Sequence, residues 1–190
     1  MTAVLCARKD SVYKSIIMLD VYDIERDAFT FNGGQRVIAH PPCRSWGRLR
    51  TFAKPRPDEQ DLARFCVQQV RQNGGVLEHP ASSTLWDDMH MSKDHRPDHF
   101  GGWTLPISQR WFGHKAEKLT WLYVVGTKPS QVPPIPLDLS YATHVVENSS
   151  KSSRKLPTIT KSEREETPID LAYFLIEIAE LSTIPLRAAS

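Results

Sequence analysis

The sequence predicts an α/β fold: a mostly parallel sheet with flanking helices and an antiparallel pair of strands at one edge. Three observations carry this expectation. Val37, Ile38 and Ala39 make a short, branched apolar run that Pro41-Pro42 ends, as in a buried parallel strand. Residues 58–73 follow with helical periodicity and Val76-Leu77-Glu78 with a second apolar run, so strand, helix and strand build a right-handed βαβ unit. Trp103–Trp111 and Leu119–Val125 are strand-like runs joined by the turn Phe112-Gly113-His114-Lys115, which predicts the antiparallel pair.

Taken in order, Val4–Ala7 reads as a first strand, Ser11–Ile17 as a short helix or turn, Leu19–Tyr22 as a second strand and Arg36–Ala39 as a third. In the helix Asp58–Asn73, Leu62, Phe65, Cys66 and Val70 share one stripe, acidic residues occupy the first turn, and Gly74-Gly75 stops it. Val76-Leu77-Glu78 is a strand ended by His79-Pro80. Residues 81–102, rich in His, Asp and Met, read as a long active-site loop. Residues 127–166 are Pro- and Ser-rich, including Ser149-Ser150-Lys151-Ser152-Ser153, and read as a flexible, loop-rich connection, part of which folds on a partner. The last helix has Thr167 as N-cap, Pro168 at N1 and an almost wholly apolar stretch Leu171–Leu181, which predicts burial.

The chain of 190 residues supports one core and hence one domain, 1–190. Three cysteines without regular spacing point to a reducing compartment, and with neither a leader-like opening nor a run of about 18 apolar residues the expected location is cytoplasmic, off the membrane. Net charge is only +2, but its distribution is informative. No acidic residue lies between Asp27 and Asp58, whereas Arg36, Arg44, Arg48, Arg50, Lys54 and Arg56 do, with Trp46 and Phe52 among them. Basic residues interleaved with aromatics suit phosphate contact and base stacking; a solvated loop with ordinary surface arginines has the same composition. Both readings stand at this point.

Cys43 falls at the carboxyl end of the third strand, where open α/β sheets bind ligands. Arg44 beside it favours the thiolate, which makes Cys43 a candidate nucleophile, whereas Cys6 and Cys66 read as buried filler. Glu78 ends the neighbouring strand and faces the same crevice; burial is expected to raise its pKa, and its carboxyl suits a ring nitrogen while the thiolate attacks the ring. Trp46 is placed to stack on a base, and Arg44 and Arg48 to hold phosphate.

In this order along the chain, His40-Pro41-Pro42-Cys43, Val76-Leu77-Glu78-His79-Pro80 and Trp111–Gly126 resemble the DNA cytosine-5 methyltransferases. The resemblance implies a compact Rossmann-like sheet of methyltransferase type in which Cys43 attacks C6 of a pyrimidine and Glu78 engages N3. His79 stands where the family has Asn, and Lys118 where it has Arg; with Arg44 and Arg48 they are expected at the substrate. S-adenosylmethionine is the implied cofactor, with Asp20 or Asp23 at its ribose, although an acid at a strand end also serves as a helix cap. The family's glycine-rich cofactor loop is replaced by Ala7-Arg8-Lys9-Asp10-Ser11, and no large target-recognition domain fits between Gly126 and the last helix. DNA or a nucleotide is the expected substrate, with a separate DNA-recognition protein as a further partner.

No metal is expected. His90, His95 and His99 with Asp94 and Asp98 match no closed zinc pattern, and His40, Cys43 and His79 lack the order of a zinc deaminase. Two functional readings therefore follow from the sequence. One is a divergent methyltransferase-like enzyme acting on a pyrimidine; the other is a nucleic-acid-binding relic of that fold, of phage or mobile-element type, that has lost catalysis. A nucleotide-processing enzyme using Arg8, Lys9 and Ser11 at a phosphate is a third.

Overall fold

The computed structural model describes residues 1–138, 140–146 and 156–183. Its centre is a six-stranded mixed sheet: β1 (Thr2–Leu5), β2 (Leu19–Val21), β3 (Arg36–Ala39), β4 (Gly75–Pro80), β5 (Trp103–Ser108) and β6 (Leu119–Val125), in the order β2-β1-β3-β4-β6-β5. The first four strands in that order are parallel, and β6 runs antiparallel to both β4 and β5. This is a compact Rossmann-like α/β sheet with an antiparallel edge pair, in agreement with the expected fold class.

The strand order reverses at β1, whose successor β2 lies on one side and β3 on the other. Such a switch point opens a crevice beyond the carboxyl ends of the two diverging strands. Cys6–Arg8 and His40–Cys43 leave β1 and β3 at that place.

Alternation along the strands divides the core between two faces. Leu5, Val37, Ala39, Leu77 and Tyr123 pack against α1 (Glu59–Asn73) through Leu62, Cys66, Val67 and Val70. Val4, Ile38, Val76, Leu122 and Val124 pack on the other face against α4 (Ile169–Leu181) through Leu171, Leu175 and Ile178. The chain leaves α1 through Gly74, in the left-handed region at φ +73°, and enters β4 at Gly75, at φ +124°. A Cβ on Gly75 would lie 2.0 Å from the Val37 carbonyl oxygen, so only glycine lets β4 come this close to β3.

Several boundaries differ from the sequence reading. β1 begins and ends two residues earlier, because Cys6 takes a left-handed conformation at φ +61° and breaks the strand. β4 extends through His79 and Pro80, which pair with Trp121 and Thr120 of β6; Pro80 is tolerated at the strand's last position. β5 stops at Ser108, whose hydroxyl accepts from the Arg110 amide, and residues 109–112 form a 3-10 turn instead. In α4, Pro168 rather than Thr167 is the N-cap, its carbonyl accepting from the Ala172 amide at 2.9 Å.

The described part of 127–166 is irregular yet held. Thr127 accepts from the Trp103 indole at 2.7 Å, and Val145 bridges to Thr158. Thr160 and Glu163 form a capping box that starts α3 (Lys161–Glu165). The Ser149–Ser153 run lies outside the described residues. Residues 81–102 contain α2 (Leu85–Asp88) and pack on the α1 face of the sheet. There Arg71 donates to the Met89 carbonyl at 2.7 Å and stacks on Phe100, and Tyr123 donates to Asp98 at 2.7 Å. No described helix is long and apolar enough to cross a membrane.

Candidate active site

Pro41-Pro42 ends β3 and turns the chain so that the Cys43 carbonyl accepts from the amides of Trp46 and Gly47, at 3.0 and 2.8 Å. Two hydrogen bonds on one carbonyl fix this turn, and the Cys43 side chain is left at the surface. Glu78 lies one strand away, on the α4 face of β4, because it shares the parity of Val76. Its Oε2 is 3.1 Å from His40 Nδ1, and its Oε1 accepts from the Gln109 amide at 3.0 Å. Gln109 is itself buried and also donates to the Thr120 hydroxyl at 3.1 Å.

Electrostatics tie Cys43, Glu78 and Lys118 into one group. Burial pushes the Glu78 carboxyl up, but the His40 hydrogen bond and the positive charge of Lys118 outweigh it and hold the group at about 2. This reverses the expected upward shift, and Glu78 is ionised at neutral pH. Surrounding protein raises the Cys43 thiol above its ordinary value, the Glu78 charge adds to the rise, and Lys118 opposes it. Lys118 is thus a cation whose charge acts on both Cys43 and Glu78.

Arg44 does not take that role. Its guanidinium pairs with the fully buried Glu59 carboxylate at the start of α1, so the neighbour in sequence is turned away from the thiol. Trp46 is also displaced from its expected role: it is 5% exposed, sits in the α1-side core beneath the Arg64 guanidinium, and offers no free face for a base. His79 is fully buried on the face opposite Glu78, with its ring against Trp86, since adjacent residues of a strand point to opposite sides. Burial lowers its pKa to about 4 and it is neutral there, unable to reach substrate. Arg48 is at the surface, two turns of loop from Cys43 in a run where Leu49, Arg50 and Phe52 are also exposed.

Asp20 and Asp23, expected at a cofactor ribose, both have partners. Asp20 pairs with Arg26 and accepts from Gln35 and Tyr22. One oxygen of Asp23 caps the amides of Glu25 and Arg26 at 2.8 and 3.0 Å, and the other pairs with Lys14. Asp23 thus closes a turn at residues 23–26 and caps no helix; the next helical turn, Ala28–Thr30, is capped by Asp27. After β1, Arg8 forks onto Asp10 and reaches the Ser162 carbonyl, and Lys9 pairs with Glu25. As placed, these residues do not fit S-adenosylmethionine: the turn has no glycine and both carboxylates are occupied.

Three residues that contact Glu78 or His40 carry little functional signal in the sequence: Gln109 falls in a strand-like run, Tyr13 in a helix or turn, and His40 suggests at most a zinc ligand. His40 stands immediately before Pro-Pro-Cys, the one local signal for it. His40 and His79 diverge to opposite faces, and among the described residues no group of three His, Cys, Asp or Glu side chains is placed to hold a metal. A cavity of about 380 Å³ lined by Trp86, His90, Met91, Asp94, Arg96 and Asp98 lies in the 81–102 segment and includes neither Cys43 nor Glu78.

Compared with known proteins, the chain matches no family model, no characterised protein and no solved structure.

Proposed function

We propose that this chain is a divergent enzyme of cytosine-5 methyltransferase type that activates a pyrimidine base, in DNA or a nucleotide, by covalent addition. The observation that supports it most is the grouping of Cys43 and Glu78 at the carboxyl ends of the adjacent parallel strands β3 and β4, with Lys118 at the start of the antiparallel β6, next to a switch point. A largely buried carboxylate, held by two side-chain partners and acting electrostatically on a surface thiol, is costly to build.

The chemistry follows from the groups. Cys43 loses its thiol proton to water, helped by the Lys118 charge, and the thiolate adds to ring C6. The C5=C6 π pair shifts to C4–C5, the C4=N3 π pair moves onto N3, which takes a proton delivered at Glu78, and the resulting enamine makes C5 nucleophilic. Lys118 and the basic run Arg48–Arg56 hold the phosphates nearby. S-adenosylmethionine would supply a methyl group to C5 in the enzymes this chain resembles; here the chemistry carried by the chain's own residues ends at the activated C5.

The reading is tested without any donor, because an activated C5 exchanges its hydrogen with solvent before the thiolate leaves. A short single-stranded oligonucleotide containing cytosine is incubated with the protein in D2O, and loss of the C5–H signal is followed by proton NMR. The expected result is exchange well above the protein-free rate, abolished in Cys43→Ser and reduced at least tenfold in Glu78→Gln. Exchange at the protein-free rate, or unchanged in Cys43→Ser, overturns the proposal.

The occupied carboxylates of Asp20 and Asp23 favour a second reading, a nucleic-acid-binding relic. Its mark is salt-sensitive oligonucleotide binding that survives in Cys43→Ala and Glu78→Ala, without exchange.

A further inference from the structure

His40 ends β3 and bridges two groups from distant parts of the chain. Its Nδ1 lies 3.1 Å from Glu78 Oε2 and its Nε2 lies 3.0 Å from the Tyr13 hydroxyl. Tyr13 is fully buried in the turn 12–15, tilted against the imidazole with ring centroids 5.4 Å apart. A carboxylate only accepts, so Nδ1 carries the hydrogen of the His40–Glu78 contact. The Tyr13 hydroxyl both donates and accepts, so it serves Nε2 whether or not that nitrogen is protonated. The Nδ1–H of His40 is therefore aimed at Glu78, while Tyr13 can hold Nε2 in either hydrogen-bonding role.

Base activation by Glu78 has an unmet requirement that this arrangement supplies. N3 must receive a proton, and a carboxyl that rests ionised carries none. We infer that His40 is the positioning residue of the proposed reaction: it aims Glu78 and delivers through it the proton that N3 receives. The inference rests on the activity proposed above. In the step, the Nδ1–H bond of the imidazolium breaks, its electron pair stays on His40, and the proton passes to Glu78 Oε2 and on to the N3 lone pair. The thiolate supplies the pair that forms the C6–S bond, and the adduct is neutral. Solvent reprotonates His40 after the base leaves.

Among the described residues, the titratable groups that touch His40 are Tyr13 from the turn after β1 and Glu78 from β4. Lys118, at the start of β6, acts on Glu78, and His79, the neighbour of Glu78 on β4, points to the other face. Tyr13 stays protonated, because burial and the Glu78 charge raise it. Its role is to hold the imidazole.

The test is the pH dependence of C5 exchange in wild type, His40→Asn and Tyr13→Phe. Asparagine keeps an amide donor near the Nδ1 position but carries no transferable proton. The expected wild-type profile has a limb that falls as pH rises and that depends on the His40 imidazole. His40→Asn is expected to bind oligonucleotide like wild type, exchange at least tenfold more slowly, and lack that limb, its rate rising with pH as thiolate forms. Tyr13→Phe, which removes one oxygen, is expected to slow exchange with the limb retained but displaced. A wild type that exchanges while His40→Asn matches its rate and profile overturns the inference and leaves the proposed function standing. A wild type that does not exchange overturns both.

Discussion

Arg44 rests on Glu59: a half-exposed guanidinium covers a carboxylate with no solvent access, joining the turn after β3 to the first turn of α1. Arg56 reaches the same carboxylate at 3.9 Å. The contact anchors the turn that presents Cys43, so Arg44 acts on the geometry around that thiol rather than on its charge.

Removing Arg44 leaves a buried charge with one weak partner. Breaking a buried pair costs roughly 3–5 kcal/mol, and the exposure of Arg44 together with the help of Arg56 reduces this to about 2 kcal/mol for Arg44→Ala. Glu59→Gln, which leaves no orphaned charge, is expected to cost less, and Glu59→Gln added to Arg44→Ala to recover part of the loss. Urea unfolding of the three variants checks the order; equal losses for the two single variants contradict it.

The thiol of Cys43 is raised by surrounding protein and by Glu78. Deleting that negative charge in Glu78→Gln lowers the thiol pKa, increases the thiolate at pH 7 and speeds alkylation. Lys118→Met removes the opposing charge and slows it. Iodoacetamide modification of Cys43, followed by peptide mass spectrometry across pH 6–10, is expected to give the order Glu78→Gln, wild type, Lys118→Met.

His79 is buried and neutral, held near 4 against an unfolded value of 6.5. The unfolded chain therefore binds the extra proton first as pH falls. The stabilisation from neutral His79 is complete above pH 6.5 and is lost between there and about 4, on the order of 3 kcal/mol. Both ring nitrogens lack partners among the described residues, so His79→Leu is expected to remain folded at pH 7 and to flatten the stability profile over that window. A profile as steep as wild type would show that other groups govern it.

Cys6 and Cys66 are not isolated filler, for their Sγ atoms lie 3.5 Å apart. Diamide at pH 8 is expected to oxidise the two thiols to one intramolecular disulfide, slowly because Cys66 is buried and its thiol is raised by Cys6 and by burial. Cys43 remains a thiol in the same molecule. Non-reducing peptide mapping identifies the cross-link, and Cys66→Ser abolishes it.

Legibility in the sequence followed the range of the interactions involved. β3, β6 and nearly all of α1 were readable because branched runs, a helical stripe and the Gly74-Gly75 stop are local signals. The two-residue shift of β1 was not, since nothing around Cys6 announces a positive φ. Cys43 and Glu78 were readable as strand-end residues. The roles of Arg44, Trp46 and His79 were misassigned because adjacency in sequence says nothing about direction: His79 follows Glu78 and therefore points the other way. Arg44 finds its partner fifteen residues on, and the Tyr13–His40–Glu78–Gln109 chain joins four elements, which only the folded register brings together.

The placement of α4 across β3 and β4 has a bearing on biosynthesis. Ile38 and Val76, which flank His40 and Glu78 in their strands, are covered by a helix that ends at residue 181, and Gln109 reaches Glu78 from beyond both. On the ribosome, the parallel half of the sheet emerges with one oily side bare, and the side chains around Glu78 take their positions only after α4 has cleared the exit tunnel. A nascent chain of this protein thus exposes Cys43 long before Glu78 and its partners are enclosed beside it.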